Sequence, residues 1–331
     1  MSKLRSSVAD EIKIGTVPRR CNSGSVKSSL VTGYLHPDYA ESLSEYGTPL
    51  QLPRSGGWLL KRSIDGVQAD AMGTYPLFTC SDWKPLRDDL NQLGKSVVSA
   101  VVVTDPLGEY DEPFLRDCFG DLVIPFKSHF GNDLRRPLEE TMPKHHARNA
   151  RSGLKQVTVE RCEDTLSRLG DWVKLYSLLI ERHQITGIRT FSRNSFAGQL
   201  KTPGMVCFRA IRDQQTVGMI LWYVQNGIAY YHLGAYTDEG YHLRASFALF
   251  RKALEYFAEA GLNYANLGAG AGLGTDADDG LSRFKRGWST CVRTAYICGR
   301  IFDRQEYDRL VRARGVGTTN YFPAYRNGEF N

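Results

Sequence analysis

The fold is decided by residues 228–298, which read IAYYHLGAYTDEGYHLRASFALFRKALEYFAEAGLNYANLGAGAGLGTDADDGLSRFKRGWSTCVRTAYIC. After an opening strand, hydrophobic periodicity predicts a long amphipathic helix over His242–Ala260 and a strand over Tyr264–Leu267. A glycine-rich loop follows, and then a short basic helix over Leu281–Arg286 and a strand over Cys291–Cys298. This alternation of strands and helices is typical of an α/β chain.

The residues before this stretch add a meander of three strands. They are predicted over Met205–Arg212, Thr216–Gln225 and Ile228–Ala235, and Asn226-Gly227 is a strong hairpin-turn signal. Earlier still, Val97–Asp105 is a nearly continuous run of β-branched residues, which is typical of a strand buried on both faces. The sequence therefore predicts a mixed α/β (α+β) fold.

The first part of the chain shows the same alternation with weaker signals. Gly57–Asp65 and Val67–Cys80 form a predicted hairpin around the two-residue turn Asp65-Gly66. A helix is predicted over Trp83–Leu93, ended by the glycine that follows it. A strand over Leu122–Lys127 closes this half of the sequence.

Length and composition bound the class of protein. With 331 residues, 42% hydrophobic and 24% charged, the chain has the size and composition of a soluble globular protein of two domains. No apolar run is long enough to span a membrane, and the N-terminus lacks a secretory signal, so a cytoplasmic location is predicted. We expect a flexible polar tail over residues 1–30, a first unit over 31–155 and a second unit over 156–331.

Net charge and cysteine content restrict the classes of ligand and of metal site that we expect. The net charge of +6 favours anionic partners such as nucleotides, phosphates or RNA. Seven cysteines without a Cys-x-x-Cys pair argue against a disulfide framework or a structural zinc site, and no metal is predicted. His145-His146 lacks a correctly spaced third ligand, so a solvated basic face is the expected role of that segment.

Three segments carry a resemblance to a known family. The basic segment 146–155 (HARNARSGLK) resembles the Arg-x-x-x-Arg-x-x-x-Lys run between tandem units, and 246–268 has the family's long helix followed by a strand. Residues 280–288 (GLSRFKRGW) are similar to the signature Gly-Leu-x-x-Phe-Lys-x-Gly-aromatic. The chain thus resembles GNAT-superfamily acyltransferases, and more narrowly the FemAB-like relatives of Fem-type aminoacyltransferases. The resemblance covers roughly residues 50–300.

The resemblance implies a fold and a reaction class. The implied fold is two tandem GNAT-like units, each with a mixed, largely antiparallel sheet flanked by helices. The implied reaction is transfer of an acyl or aminoacyl group from an activated donor to an amine. No permanently bound cofactor is expected; acyl-CoA or aminoacyl-tRNA is the co-substrate. The alternative is a non-catalytic module of the same fold that binds a nucleotide or a partner protein.

The resemblance also places the donor. GNAT enzymes bind the pyrophosphate of acyl-CoA at the start of the helix after the fourth strand, where backbone N–H groups and the helix dipole favour an anion. The corresponding stretch 237–246 departs from the usual loop, and an ordinary capped helix start is the alternative for it. The candidate donor-binding residues are Gly240, Tyr241, His242, Arg244, Gly268 and Gly270.

Three residues are the catalytic candidates. Lys285, in the signature segment, is expected to act as a fixed cation beside a phosphate or a developing oxyanion; it could serve as a base only with a strongly depressed pKa. His232 is the best candidate for a general base because the ordinary pKa of histidine suits proton transfer at neutral pH. Tyr230 shares a face with His232 on the predicted strand. The alternatives are a solvated lysine and a core histidine with satisfied hydrogen bonds.

Basic residues outside this centre are the candidates for binding an acceptor. They are Lys127, Arg148, Arg151 and Arg283. The expected acceptor is a small molecule or a cell-envelope precursor with phosphate groups, and an aminoacyl donor would add tRNA as a partner. The sequence predicts no oligomeric state.

Overall fold

A computed structural model of the chain describes residues 31–270 and 279–329. Its described part is built around an eleven-stranded sheet in the order β1-β2-β3-β4-β11-β5-β10-β9-β8-β7-β6. The strands are β1 (Thr48–Gln51), β2 (Trp58–Ser63), β3 (Ala69–Gly73), β4 (Ser99–Val103), β5 (Leu122–Asp133), β6 (Thr158–Arg161), β7 (Met205–Arg212), β8 (Gln215–Gln225), β9 (Ile228–Tyr236), β10 (Tyr264–Ala269) and β11 (Cys291–Ile301).

Helices cover both faces of this sheet. They are α1 (Pro37–Glu41), α2 (Leu86–Leu93), α3 (Glu112–Phe119), α4 (Leu138–Thr141), α5 (Lys144–Leu154), α6 (Leu169–His183), α7 (Arg193–Lys201), α8 (Asp238–His242), α9 (Ala245–Glu259), α10 (Gly280–Arg286) and α11 (Arg304–Ala313). None of the described helices is long and apolar enough to cross a membrane.

The two halves of the sheet are related in layout and exchange their last strands. In the first half β3 runs parallel to β4, and in the second half β9 runs parallel to β10; the other neighbouring strands are antiparallel. β5 pairs with β10 of the second half, whereas β11, the last strand in sequence, lies between β4 and β5. The predicted mixed, largely antiparallel sheet flanked by helices is confirmed. The division at residue 155 stays a prediction.

Two predicted elements were wrong in their extent, and both matter for the site. β5 continues to Asp133, so Lys127 lies inside the strand rather than at its end. The helix predicted over His242–Ala260 begins later, as α9 at Ala245, because Arg244 adopts a left-handed backbone with φ of 60°; His242 instead ends the separate helix α8.

The hairpin of β2 and β3 is confirmed, but its turn is longer than the two residues expected. Ile64 N–H donates to the Gln68 carbonyl at 2.9 Å, and Asp65 accepts the N–H groups of Val67 and Gln68 inside the loop. The aspartate therefore stabilises a wider loop by an Asx-type turn instead of a two-residue hairpin.

Strands β8 and β9 contribute side chains to two hydrophobic cores, one on each face of the sheet. One core lies under α9 and includes Trp222 and Phe250, both 0–1% exposed. The other lies under α6 and α7 and includes Trp172 and Tyr223. Tyr230 and Tyr231 of β9 face opposite cores because side chains alternate along a strand. Two neighbouring side chains of β9 therefore experience different surroundings.

Candidate functional site

The candidate site lies where β9 and β10 diverge. The two parallel strands pair only as far as Asn266 and Tyr230. Beyond this point β10 is irregular, because its register against β5 shifts between Asn266 and Gly268. Gly268 has φ of +76°, a left-handed conformation that glycine adopts without a steric cost. The chain thus turns away from β9 and leaves a gap in the sheet beside Gly268.

Lys285 reaches this gap from α10. Asp279 caps the helix by accepting the N–H groups of Leu281 and Ser282 at 2.8 and 3.0 Å. One turn later the side chain of Lys285 is buried, with 5% exposure. Its Nζ donates to the carbonyl oxygen of Ala269 at 2.7 Å. A solvated helix face is therefore excluded for Lys285.

The surroundings of Lys285 perturb its proton affinity. The ammonium lies 5.0 Å from the centre of the Tyr231 ring, a cation–π contact on β9. Burial, and then the charge of Lys127, lower the pKa of Lys285 to about 7, although Asp279 acts in the opposite direction. The lowered pKa therefore satisfies the condition under which Lys285 could serve as a base.

Lys127 is brought to the same region by β5. Burial and the nearby charge of Arg189 lower the pKa of Lys127, whereas Asp279 raises it. Lys127 in turn lowers the pKa values of Lys285 and His129. Lys127 and Lys285, from two separate segments of the chain, therefore act on each other near the divergence point, and their positive charge favours an anionic ligand.

His129 and Asn266 belong to this site, although the sequence analysis missed both. They are buried, and His129 Nδ1 lies 3.2 Å from Asn266 Oδ1, which also accepts the Gly268 N–H at 2.9 Å. Burial lowers the pKa of His129 to about 4. One cue was present in the sequence, a polar asparagine inside an apolar strand and two residues before a glycine.

His232 lies on the other face of β9 from the Lys285 ammonium. Its Nδ1 is 3.1 Å from the hydroxyl of Tyr34 and its Nε2 is 3.0 Å from Oε1 of Gln199. Burial lowers the pKa of His232 to about 3, so the ring is neutral at physiological pH. Both nitrogens are engaged inside the core, an arrangement that weighs against the base role, which stays a prediction.

Tyr230 is also buried on that face and links the two halves of the sheet. Its hydroxyl donates to Asp105 Oδ2 at 2.8 Å, just beyond the end of β4. Burial raises the pKa of Asp105 and holds the pKa of Tyr230 well above its ordinary value. The pair is a buried hydrogen bond across the sheet, and it does not touch the Lys285 ammonium.

The start of α8 is built more tightly than an open anion site. Thr237 caps the helix by accepting the Gly240 N–H at 3.0 Å, and a Cβ on Gly240 would collide with the Val217 carbonyl oxygen. Asp238 in the first turn forms an ion pair with Arg182, whose guanidinium lies 4.5 Å from the centre of the Tyr241 ring. Gly240 is thus needed for close packing.

The next helix, α9, begins differently. Arg244 occupies its N-cap position in a left-handed conformation, and no side chain caps the helix. Arg244 and His242 are both exposed. Within the predicted donor-binding segment, the start of α9 thus combines a helix N-terminus without a side-chain cap with the exposed basic side chains of His242 and Arg244.

The remaining arginine candidates lie on the surface of α5 and α10. Arg148, Arg151 and Arg283 are exposed. Gly270, another candidate, lies against Ser282 and Asp279 at the start of α10. The rest of the glycine-rich loop, with Asp276 and Asp278, falls outside the described residues.

The expectation of a solvated basic face was wrong for His146. This residue of α5 is 2% exposed, and its Nε2 lies 2.9 Å from the Phe284 carbonyl oxygen near the end of α10. Its ring contacts Phe247 and Trp288. A histidine bound to a free carbonyl at a helix C-terminus stabilises the end of that helix. His146 therefore fixes the helix that carries Lys285.

Gly287 provides a test of this attachment. A Cβ at Gly287 would overlap the His146 ring, so we expect Gly287→Ala to destabilise the fold by about 1–3 kcal/mol. His146→Ala removes the obstructing ring, and the double variant should be more stable than the sum of the two single changes implies. Urea denaturation of the four proteins measures this coupling. Strictly additive losses would show that the two residues do not share the contact.

Comparison with known protein families identifies the segment that carries these features. Residues 143–286 match the family described as acetyltransferase (GNAT) domain. The matched range begins just before α5 and ends just after Lys285. No curated protein sequence matches the chain.

Solved structures show the same fold over most of the chain. FemX is 13% identical, covers 82% of this chain and 93% of its own, and superposes with a TM-score of 0.61. The C-terminal domain (DUF2156) of a putative lysylphosphatidylglycerol synthetase from Agrobacterium fabrum is 15% identical, with 82% and 91% covered and a TM-score of 0.57. L-PGS from Bacillus licheniformis is 13% identical, with 81% and 93% covered and a TM-score of 0.54.

These similarities are at the level of fold, since the identities are low. The chain has a FemAB-like GNAT fold, and its residues 143–286 are similar to the GNAT acetyltransferase domain family. The recognition of this family from the sequence is confirmed. The family match favours an acyltransferase of the GNAT class.

Proposed function

We propose that this protein transfers an acyl or aminoacyl group from an activated donor to the amine of a small-molecule or cell-envelope-precursor acceptor. The observation that carries the proposal is the position of Lys285. Its ammonium lies buried at the divergence of β9 and β10, bound to the Ala269 carbonyl oxygen at 2.7 Å.

The chemistry needs a group of this kind at that place. When the acceptor amine attacks the donor carbonyl, a C–N bond forms and the carbonyl oxygen gains negative charge. The C–S bond of a thioester or the C–O bond of an aminoacyl ester then breaks, and the leaving thiolate or alkoxide takes up the proton that the amine loses. Lys285 stabilises the oxyanion in its protonated form, because a buried cation interacts with developing charge more strongly than a solvated one.

Two donor classes have separate support in the structure. An acyl-CoA would place its pyrophosphate at the uncapped start of α9 beside Arg244, with Tyr241 and His242 nearby. An aminoacyl-tRNA would use the exposed arginines of α5 and α10, which are Arg148, Arg151 and Arg283. In both cases Gly268 and Gly270 allow the backbone to approach the donor closely.

The acceptor side of the site is assigned to Lys127. Lys127 lies in β5, and its charge interacts with those of Arg189 and Lys285. The three cations thus form a region of positive potential in a partly buried setting. An acceptor that carries phosphate groups fits this charge. In this assignment, Tyr230 and His232 hold the two halves of the sheet in place.

The proposal is tested by a donor screen on the purified protein. We expect a mass-shifted acceptor amine when the protein is incubated with amine acceptors and either acyl-CoA or charged bulk tRNA. Sensitivity of the product to RNase indicates aminoacyl-tRNA, and dependence on added acyl-CoA indicates the thioester. Absence of product with every donor, together with nucleotide binding that Lys285→Met leaves intact, would favour the non-catalytic module instead.

A further inference from the structure

The carbonyl that binds Lys285 depends on an unusual turn in β10. Strand pairing between β10 and β5 places Asn266 opposite Gly131 but Gly268 opposite Phe130, so Leu267 is an extra residue in the ladder. This β-bulge changes the direction of the backbone immediately before Ala269. The Ala269 carbonyl oxygen therefore faces the Lys285 ammonium because of the bulge.

Asn266 closes this turn. Its Oδ1 accepts the N–H of Gly268 at 2.9 Å, which is an Asx turn, and the side chain thereby replaces a backbone partner in the ladder. Gly268 completes the turn with its positive φ and passes so close to Lys285 that a Cβ there would lie 3.1 Å from Nζ. The position of the ammonium and the shape of the turn are thus set by the same few atoms.

The hydrogen bonds also fix the chemical state of His129. A backbone N–H can only donate, so the atom of Asn266 that faces Gly268 is the carbonyl oxygen and not the amide nitrogen. That oxygen can only accept, so Nδ1 of His129, 3.2 Å away, carries a hydrogen and donates it. His129 therefore binds Asn266 through Nδ1–H, and the ring is neutral at pH 7 because burial lowers its pKa to about 4.

We propose that Asn266 and His129 are positioning residues for Lys285: together they hold the turn at Gly268 that directs the Ala269 carbonyl oxygen at the ammonium. This inference rests on the proposed function only in giving Lys285 a catalytic role. A neutral histidine suits the task, since a third positive charge beside Lys127 and Lys285 would repel both. Among the described residues, the other charged or titratable groups that face Lys285 are Asp279 at the start of α10 and Tyr231 on β9.

The direct readout is the titration of Lys285 in the protein without substrate. With lysine labelled at the ε carbon with ¹³C, the signal of Lys285 is identified by its loss in Lys285→Arg. In the unmodified protein it should titrate near pH 7. Asn266→Leu keeps the volume of the side chain but removes the oxygen that accepts the Gly268 N–H. The turn then no longer directs the Ala269 carbonyl oxygen at the ammonium, which loses this hydrogen bond. We expect the pKa of Lys285 to fall by about one further unit.

Matched variants separate positioning from packing. Asn266→Asp keeps the Asx turn and adds a negative charge, so the pKa of Lys285 should rise. His129→Asn keeps a donor close to the position of Nδ1 and should leave the titration near that of the unmodified protein. His129→Leu removes the donor and should shift the pKa in the same direction as Asn266→Leu. A purely structural role predicts lower stability but an unchanged Lys285 titration in the three uncharged variants, Asn266→Leu, His129→Asn and His129→Leu.

The outcomes are decisive for each claim separately. An unchanged Lys285 titration in folded Asn266→Leu overturns the positioning inference. If the leucine variant does not fold, a fall in the pKa of Lys285 in Asn266→Asp overturns it instead. Acyl transfer that survives in Lys285→Met overturns the proposed function and leaves the titration result standing. In the transfer assay we expect Asn266→Leu to lower kcat by about 10- to 100-fold with little change in KM, because a misplaced catalytic group acts mainly on the chemical step.

Discussion

Lys285→Met is expected to lower the rate of acyl transfer by about 100- to 1,000-fold, the usual cost of removing one donor from an oxyanion site. Methionine has a similar length and is apolar, so it occupies the same buried space without the charge. The measurement is kcat/KM with the donor that the screen identifies. Lys201→Met is a matched control, because Lys201 is exposed in the last turn of α7.

The arginine variant distinguishes the two chemical roles of Lys285. If the protonated lysine stabilises the oxyanion, kcat/KM should fall as the pH rises through about 7, where the side chain loses its proton. Lys285→Arg stays charged, so that fall should be absent and part of the activity retained. A rate that instead rises through pH 7 and is lost in Lys285→Arg would assign Lys285 as the base. His232→Gln should change stability more than rate if His232 is structural.

The same substitution should alter the dependence of stability on pH. The pKa of Lys285 is about 7 in the folded protein and close to the ordinary 10.5 when the chain is unfolded. Between these values the unfolded chain binds a proton that the folded protein has released, so the stability of the unmodified protein rises with pH. Below pH 7 both states are protonated and this contribution is flat. Lys285→Met should lack the rise and be the more stable protein at pH 7.

Trp222→Ala should lower the free energy of unfolding by about 3–5 kcal/mol, the largest stability effect that we expect from a single change. Trp222 is fully buried in β8 and its ring contacts Phe250 and Phe257. The centre of its ring also lies 5.2 Å from the centre of the Tyr231 ring, which packs against the Lys285 ammonium. Loss of the indole thus removes support for the site as well as core volume.

Trp222→Phe is the matched control for this prediction. The indole Nε1 of Trp222 is buried and has no hydrogen-bond partner among the described residues. Phenylalanine keeps most of the ring volume and removes this unpaired donor, so the loss should be only about 1 kcal/mol. Chemical denaturation monitored by circular dichroism measures both variants. A loss in the phenylalanine variant as large as in the alanine variant would mean that the nitrogen has a partner.

Elements with strong local patterns could be predicted from the sequence. The sequence locates the meander β7 to β9 to within a residue or so, since its strands are apolar runs and Asn226-Gly227 marks the turn between β8 and β9. The helix break at Arg244 could not be predicted, because the residues on both sides of it favour helix and the Arg244 carbonyl oxygen packs against Gly153, a residue distant in sequence. The exchange of β5 and β11 is a long-range pairing that no local pattern contains.

The site could be predicted in part. Lys285 and Lys127 were both singled out from the sequence, and the structure brings their charges together. His232 has a favourable residue type and strand position for a base, yet its burial among tyrosines depends on segments distant in sequence. His129 was missed because it lies beyond the predicted end of β5. The chemistry of each histidine was thus decided by tertiary contacts.

The exchanged strands have a consequence for how the chain is made. The two neighbours of β5 in the sheet, β10 and β11, are both translated after it, and strands β6 to β10 all lie between β5 and β11 in sequence. While the ribosome is still translating this region, β4 and β5 carry exposed edges that can pair with other chains. Late, non-local closure of this kind is slow. The nascent protein should therefore depend on chaperones until β11 emerges, and its halves should not be exchangeable as independent modules by recombination.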